Sequence, residues 1–270
     1  MRPASVEAEI TVSFQAMRAE FWMVASLLAA AGLAWWWTAV RMVGMDGGPG
    51  ADLGALGWFT GVWAVMMAAM MLPSLAPTAA VHAALVRRNP SRILLFAVGY
   101  LLVWSAAGIA AYGLLKLGSV LLATPLAWNR GGRWFAAGVL IFAALYQLTP
   151  IKGTFLLRCR CPLRFLRATW RDGRSGALLM GLRNGSWCLG CSWALMAALF
   201  ALGLMNLAWM VLIAGLVSLE KIGPWGRAAR AATAGILAVL ALALLTVPHE
   251  LPGLVVPGSP GSTGSMRAMG

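Results

Sequence analysis

The sequence predicts an all-α polytopic membrane protein, a bundle of about seven transmembrane helices. Two features of the composition lead to this fold class: 61% of the 270 residues are apolar, and only 11% are charged. Soluble domains are about 45–50% apolar and about 25% charged, so an ordinary soluble globule and a disordered chain are both excluded. The third observation is a series of apolar runs that approach the ~20 residues a helix needs to cross the hydrocarbon core of a bilayer.

The apolar runs predict the spans in chain order. Residues 21–43 form the first span, which is longer than the ~7–15-residue apolar region of a signal peptide. No clear cleavage site follows it, so we expect this helix to be retained. Asn206 separates the fifth span from a short sixth one and permits a tight hairpin. The spans after the first cover residues 57–80, 93–115, 134–151, 181–205, 207–219 and 231–247.

A single transmembrane domain is expected over residues 21–247, preceded by a cytoplasmic N-terminal segment at 1–20. The domain contains a basic cytoplasmic loop at 152–176, and a low-complexity tail follows at 248–270. Most of the 21 Lys and Arg residues fall on the side of the N-terminus when the spans alternate. Because basic loops stay cytoplasmic, we predict the N-terminus inside and the C-terminus outside. The net charge of +13 then reflects orientation in the lipid bilayer, and no nucleic-acid partner is expected.

Four cysteines form two closely spaced pairs, Cys159–Cys161 and Cys188–Cys191. The predicted topology places both pairs on the cytoplasmic, reducing side, where stable disulfides are not expected. Paired thiolates at short spacing suit the soft or borderline ions Cu(I) and Zn²⁺. The arginines around Cys159 and Cys161 should lower the pKa values of these two thiols. Two alternatives stay open: the cysteines are small buried hydrophobic residues, or Cys188 and Cys191 are a redox-active pair.

The second predicted span contains a methionine-rich stretch that ends in two prolines. Met66 and Met70 share one helix face at i,i+4, and thioethers are soft ligands for Cu(I) that need no deprotonation. Such a stripe is also typical of core packing. Pro73 and Pro77 are expected to kink or loosen the end of this helix. His82 follows, either as a surface residue or as an imidazole ligand near the cysteines of the same side.

Glu220 lies at the predicted inner end of the sixth span, where a carboxylate close to hydrocarbon is costly. Two interpretations stay open: an ion pair with Lys221 or an arginine of the basic loop, or a group that ligates or orients a metal. Gln147 and Lys152, at the inner end of the fourth span, could line the same mouth. The sequence has no Walker loop, HExxH motif or Ser-His-Asp arrangement, and its acids are few, so we do not expect an enzyme.

Four stretches of the chain stand out together: WAVMMAAMMLPSLAP (63–77), YQLTPIKGTFLLRCRCPLRF (146–165), GSWCLGCSWALM (185–196) and GLMNLAWM followed by EK (203–221). They resemble a bacterial family of predicted metal-binding integral membrane proteins, some of which are labelled copper chaperones. The resemblance implies metal binding, and with the predicted topology it implies a multi-pass protein of the bacterial inner, or plasma, membrane.

The leading hypothesis is an integral membrane protein that binds a soft metal ion, copper as Cu(I) or else zinc, for handling, delivery or transport. A metal-receiving protein is its expected partner. The candidate metal-binding residues are Cys159, Cys161, Cys188 and Cys191, with Met66 and Met70 as an intramembrane relay and His82 and Glu220 as further candidates. The alternatives are a membrane thiol-disulfide oxidoreductase that uses the CxxC pair, and a permease or assembly scaffold that binds no metal.

Overall fold

The structure is a computed structural model that describes residues 3–42, 55–122, 132–203, 206–223 and 225–246. Over these ranges the chain is all-α, which confirms the predicted fold class. The tail at 248–270 and most of the loop between the first two predicted spans lie outside the described residues. The helices in the described ranges are α1 (Pro3–Ala19), α2 (Phe21–Met42), α3 (Leu56–Leu85), α4 (Pro90–Leu122), α5 (Arg133–Leu148), α6 (Pro150–Arg160), α7 (Pro162–Thr169), α8 (Gly173–Leu202), α9 (Leu207–Ile222) and α10 (Gly226–Thr246).

Five helices of the described chain are long and apolar enough to cross a membrane, as expected of a membrane protein. They are α2, α3, α4, α8 and α10, which coincide with the first, second, third, fifth and seventh predicted spans. A sixth span arises if α5 and α6, which meet at a bend of 66°, are counted as one broken helix. Helix α9 lies at the position of the predicted sixth span and has 16 residues. The count of seven spans and the orientation therefore stay predictions.

The bend between α5 and α6 arises at a Thr-Pro pair. Thr149 has an extended backbone (φ −68°, ψ 146°), as is typical of a residue that precedes proline. Pro150 has no N–H to donate, which the first turn of a helix does not require. The Thr149 hydroxyl accepts a hydrogen bond from the Lys152 backbone N–H at 3.3 Å and so caps α6. The predicted span 134–151 is therefore divided, and α6 leaves the axis of α5.

Helix α6 packs against α8, and Gly190 of α8 contacts the Phe155 side chain of α6. A Cβ atom at Gly190 would lie 2.6 Å from the ring of Phe155, so glycine leaves the space that this ring occupies. The hydroxyl of Tyr146, from the last turns of α5, donates to the Gly190 carbonyl oxygen at 2.6 Å. The guanidinium of Arg158 lies 3.7 Å from the centre of the Trp187 ring, a cation–π contact. Together these contacts fix α6 along the part of α8 that contains the CxxC motif.

Glycines also bring α4 and α8 together, and this is the most extensive helix contact of the described chain. A Cβ at Gly181 would lie 2.1 Å from the Phe96 carbonyl oxygen, and a Cβ at Gly99 would lie 2.4 Å from that of Leu178. Such close backbone approach is how membrane helices gain van der Waals contact where lipid provides no hydrophobic driving force. The approach holds α8 in place from the side opposite to α6.

Helix α3 crosses the middle of the bundle and is buried along most of its length. It continues through Pro73 and Pro77 to Leu85, five residues beyond the predicted end of the span at residue 80. The N-terminal segment, expected only as a cytoplasmic stretch, forms α1 and packs against α3 and α7. The Glu9 carboxylate accepts a hydrogen bond from the Leu163 N–H in the first turn of α7 at 3.0 Å, which ties α1 to that helix.

Gly181→Ala is expected to destabilise the protein by about 1–3 kcal/mol, because the added methyl group meets backbone that cannot rotate away. Gly138→Ala is the matched control, since a Cβ at Gly138 has no heavy atom within 4 Å. Its expected effect is neutral to slightly stabilising, as for alanine in place of glycine inside a helix. Denaturation of the two variants in the same detergent measures the difference. Equal stabilities of the two variants would contradict the close α4–α8 approach.

Candidate metal centre

Sulfur atoms from α6 and α8 meet in the structure. The Sγ atoms of Cys159 and Cys191 lie 3.9 Å apart, although 31 residues separate them in the chain. Two sulfur ligands about 2.3 Å from a tetrahedral ion are about 3.8 Å from each other, so this spacing fits a shared ion. Cys188 lies one turn before Cys191 on α8, and its carbonyl oxygen accepts a hydrogen bond from the Cys191 thiol at 3.2 Å. All four cysteines are free thiols.

Cys161 lies apart from the other sulfurs, at the junction between α6 and α7. It is buried, and its nearest charged neighbours are Glu9 of α1 and the arginines Arg160 and Arg164. Burial raises the pKa of the Cys161 thiol, the Glu9 carboxylate adds to this rise, and Arg164 and Arg160 oppose it. For Cys161 the expected lowering of the pKa by arginine is therefore wrong, because removal of the thiol from water outweighs the nearby positive charges.

The part of the chain that the structure describes contains no group of three or more His, Cys, Asp or Glu side chains arranged to hold a metal ion. The predicted set of four cysteines is thus not assembled as a tetrahedral cage in this conformation. What the structure brings together is one pair of sulfurs at ligand spacing, Cys159 and Cys191, with Cys188 on the adjacent turn. This donor set is soft throughout, which suits Cu(I) among the biological metal ions.

Two side chains that the sequence did not mark as site residues contact the Cys188 sulfur. The ammonium of Lys221, from the last turn of α9, donates to Cys188 Sγ at 2.8 Å. The hydroxyl of Tyr100, from α4, lies 2.8 Å from the same sulfur. Lys221 also donates to the hydroxyl of Ser74 on α3 at 3.2 Å. Helices α4 and α9 thus contact Cys188 of α8, and α3 joins the cluster through the contact between Ser74 and Lys221.

A narrow opening leads to this cluster from the surface. Cys159, Lys221 and Ser74 line it together with Pro77, and its volume is about 20 Å³. Side chains of α1, among them Phe14, cover the other side of the opening. Among the described residues that line the opening, Cys159 is the cysteine, and it is half-buried. An ion that enters by this route therefore meets Cys159 and the Lys221 ammonium first.

Glu220 forms an ion pair, but its partner is Lys152 and not the adjacent Lys221. The Lys152 ammonium donates to Glu220 Oε2 at 2.5 Å and also to the side-chain oxygen of Gln147, and all three side chains are buried. Adjacent residues on a helix point about 100° apart, so Glu220 and Lys221 face different neighbours. The remaining Glu220 oxygen, Oε1, has no hydrogen-bond partner among the described residues.

The methionines and the histidine lie elsewhere on α3. Met66 and Met70 are buried in the core, on the face of α3 that also carries Ser74 one further turn along. His82 is fully buried, so the alternative of a surface residue is wrong. Its ring stacks on Phe96 at 4.6 Å between ring centres, and neither ring nitrogen has a hydrogen-bond partner among the described residues. The structure does not bring His82 to the sulfurs.

Part of this site could have been found in the sequence. Lys221 carried a signal, a cation at a predicted helix end, but proximity in sequence assigned it to Glu220. Tyr100 and Ser74 are polar residues within apolar spans, which is a weaker signal because such residues also satisfy backbone carbonyls within their own helix. Ser74 does so here as well, since its hydroxyl donates to the Met71 carbonyl at 2.9 Å.

Comparison with known proteins gives one match. Residues 60–244 match the model of a protein family described as PpoB2: Copper chaperone. The matched segment is more than half of the chain, begins in α3 and ends in α10, and contains the sulfurs and lysines described above. The match agrees with the resemblance stated from the sequence. No curated protein and no solved structure matches the chain.

Lys152→Met is expected to destabilise the protein by about 3–5 kcal/mol, because it leaves the Glu220 carboxylate buried without a cation. The double variant Lys152→Met with Glu220→Leu removes both charges and should recover most of that loss. Unfolding of the two variants and the wild type in one detergent system measures both effects. If the double variant is as unstable as the single one, the loss does not come from an unpaired Glu220 carboxylate, and the prediction is contradicted.

Proposed function

The chain belongs to the PpoB2 copper chaperone family, and on this premise we propose that it is a membrane-embedded copper-handling protein. It takes Cu(I) as cargo through sulfur ligands and passes the ion on to a receiving protein. Cys159 and Cys191 are the proposed first ligands, and Cys188 is the third. The function is binding and delivery, and no bond of a substrate is made or broken.

The observation that carries the proposal is the contact between Cys159 and Cys191 across two helices. A separation of 3.9 Å is met both in ordinary packing of two thiols and in a shared ion site, and the match to a copper chaperone family favours the ion site. Thiolates select soft ions, and Zn²⁺ in protein sites generally takes four ligands in a closed tetrahedron. A set of two or three sulfurs therefore supports Cu(I) over zinc as the cargo.

Met66 and Met70 are proposed as the second station for the ion. Ser74 touches the Lys221 ammonium at the cluster, and the two methionines lie on the same face of α3 at about 6 Å and about 12 Å along the helix axis from it. Thioethers bind Cu(I) without deprotonation and hold no charge, so they exchange it more readily than thiolates. The ion would pass from charged ligands at the opening to neutral ones inside the bundle.

The proposed location is the inner, or plasma, membrane of a bacterium, with the sulfur cluster on the cytoplasmic side. Most of the basic residues lie on the loops that would stay inside. The receiving protein would need soft donors of its own, because only thiolates or thioethers compete for Cu(I) on equal terms. Neither Cys161 nor His82 has a place in this path, since both lie away from the sulfur pair.

The same sulfur contact favours one alternative, a membrane thiol-disulfide oxidoreductase. Cys191 has Cys188 on the adjacent turn and the Cys159 sulfur at 3.9 Å. Thiol-disulfide exchange requires a third sulfur close to a pair of this kind. The two functions differ in what they require. An oxidoreductase cycles between dithiol and disulfide in the absence of metal, whereas copper handling requires the reduced thiols and is blocked when they are oxidised.

Purified protein, loaded with Cu(I) under anaerobic conditions and freed of excess ion, is expected to retain about one copper per chain. Cys159→Ser and Cys191→Ser should each lower the affinity at least about 100-fold, because each removes a direct ligand. Cys161→Ser is the matched control and should keep the wild-type stoichiometry, since this thiol lies at the α6–α7 junction. Elemental analysis and competition with a Cu(I) chelator measure both quantities.

Two results of this experiment would contradict the proposal. Retention of copper by a variant that lacks Cys159 and Cys191 together would mean that other groups bind the ion. A loss of affinity caused by Cys161→Ser as large as that caused by Cys191→Ser would mean that the cluster is not built as the structure has it.

The two methionines are tested by the double variant Met66→Leu with Met70→Leu, which conserves side-chain volume. It should keep the copper stoichiometry while it slows release of the ion. The double variant Met67→Leu with Met71→Leu is the control.

A further inference from the structure

Lys221 is placed where a positive charge is unexpected in a site for a cation. Its ammonium donates to the Cys188 sulfur at 2.8 Å and to the Ser74 hydroxyl at 3.2 Å. A lysine ammonium is positively charged and has no acceptor atom, so it repels a second cation that approaches the same sulfur. The Tyr100 hydroxyl, which also contacts Cys188, is uncharged and does not neutralise the ammonium.

Among the described residues, the Lys221 ammonium contacts a sulfur and a hydroxyl, and it has no carboxylate partner. The carboxylate next to it in sequence, Glu220, is taken by Lys152 at 2.5 Å. Among the described residues, no carboxylate lies within ion-pairing distance of the Lys221 ammonium. The groups that face it are the sulfurs of α6 and α8, the Tyr100 hydroxyl and the Ser74 hydroxyl. The Cys188 sulfur that accepts from the ammonium is thus also the atom that a soft cation would bind.

We propose that the Lys221 ammonium is a built-in competitor for copper, so that the ammonium and Cu(I) are alternative cations at the Cys188 sulfur. This inference rests on the proposed function and assigns the residue that sets how tightly the cargo is held. When Cu(I) binds the free thiol of Cys188, a copper–sulfur bond forms, the N–H···S hydrogen bond breaks and the S–H proton leaves to water. The ammonium keeps its protons and its charge, and no electron is transferred.

The structure provides a path for the displaced ammonium. Lys221 is half-buried and lines the narrow opening beside Cys159, so its flexible side chain can withdraw towards the surface without crossing the core. When copper leaves, the ammonium returns to the sulfur and takes the place of the ion. Competition of this kind lowers the affinity and speeds release, which a protein that gives its cargo away requires.

Lys221→Leu tests the proposal, because leucine removes the charge and adds no atom that can ligate copper. Anaerobic competition with the Cu(I) chelator bicinchoninate is expected to give a Cu(I) affinity at least tenfold higher than in the wild type, with slower release to excess chelator. Lys221→Arg keeps a positive charge and should gain less than Lys221→Leu. Arg174→Leu is the control for loss of one exposed basic charge and should not change the affinity.

Each outcome has a defined meaning. Equal or weaker binding by Lys221→Leu, with copper binding intact in the wild type, overturns the competitor role and leaves the proposed function in place. Absence of copper binding in both proteins overturns the proposed function and this inference together. Size-exclusion profiles in detergent verify folding, and Lys221→Gln serves as the second neutral variant, with the same expected rise in affinity and the same result overturning the proposal.

Discussion

The bend at Thr149–Pro150 is the constraint on which the site depends. It turns α6 by 66° from the axis of α5 and lays it along α8, where the Phe155 ring fills the space left by Gly190. Without that turn Cys159 would continue along the line of α5, away from the CxxC motif of α8. Two residues set this direction. Pro150 lacks an N–H that the first turn of a helix does not need, and Thr149 caps the same turn.

Two lysines with different burial have different roles. Lys152 neutralises Glu220, and this pair is shielded from water on all sides, so it serves the packing of α5, α6 and α9. Lys221, one residue after Glu220, points in a different direction and contacts the Cys188 sulfur at the edge of the opening. The chain belongs to a family of copper chaperones, and in that setting we propose the contact between Lys221 and Cys188 as the place where one cation is exchanged for another.

The sequence was sufficient for the helical class and for the positions of the long apolar spans, because these depend on composition over stretches of about 20 residues. It also indicated CxC and CxxC as the chemistry-bearing motifs. It could not separate Cys159 from Cys161, since the end of α6 falls between them and sends the two thiols to different neighbours. Nor could it pair Lys221 with Cys188, or bury His82 against Phe96, because both contacts join helices that are distant in the chain.

The most direct test of the convergence of α6 and α8 is oxidative cross-linking of single thiol pairs. In a Cys161→Ser, Cys188→Ser variant the two remaining thiols are those 3.9 Å apart, and mild oxidation is expected to join the α6 and α8 peptides in a disulfide seen by mass spectrometry. A Cys159→Ser, Cys188→Ser variant, left with Cys161 and Cys191, should stay reduced under the same treatment. A reversed pattern, with the second variant cross-linked and the first not, would contradict the account.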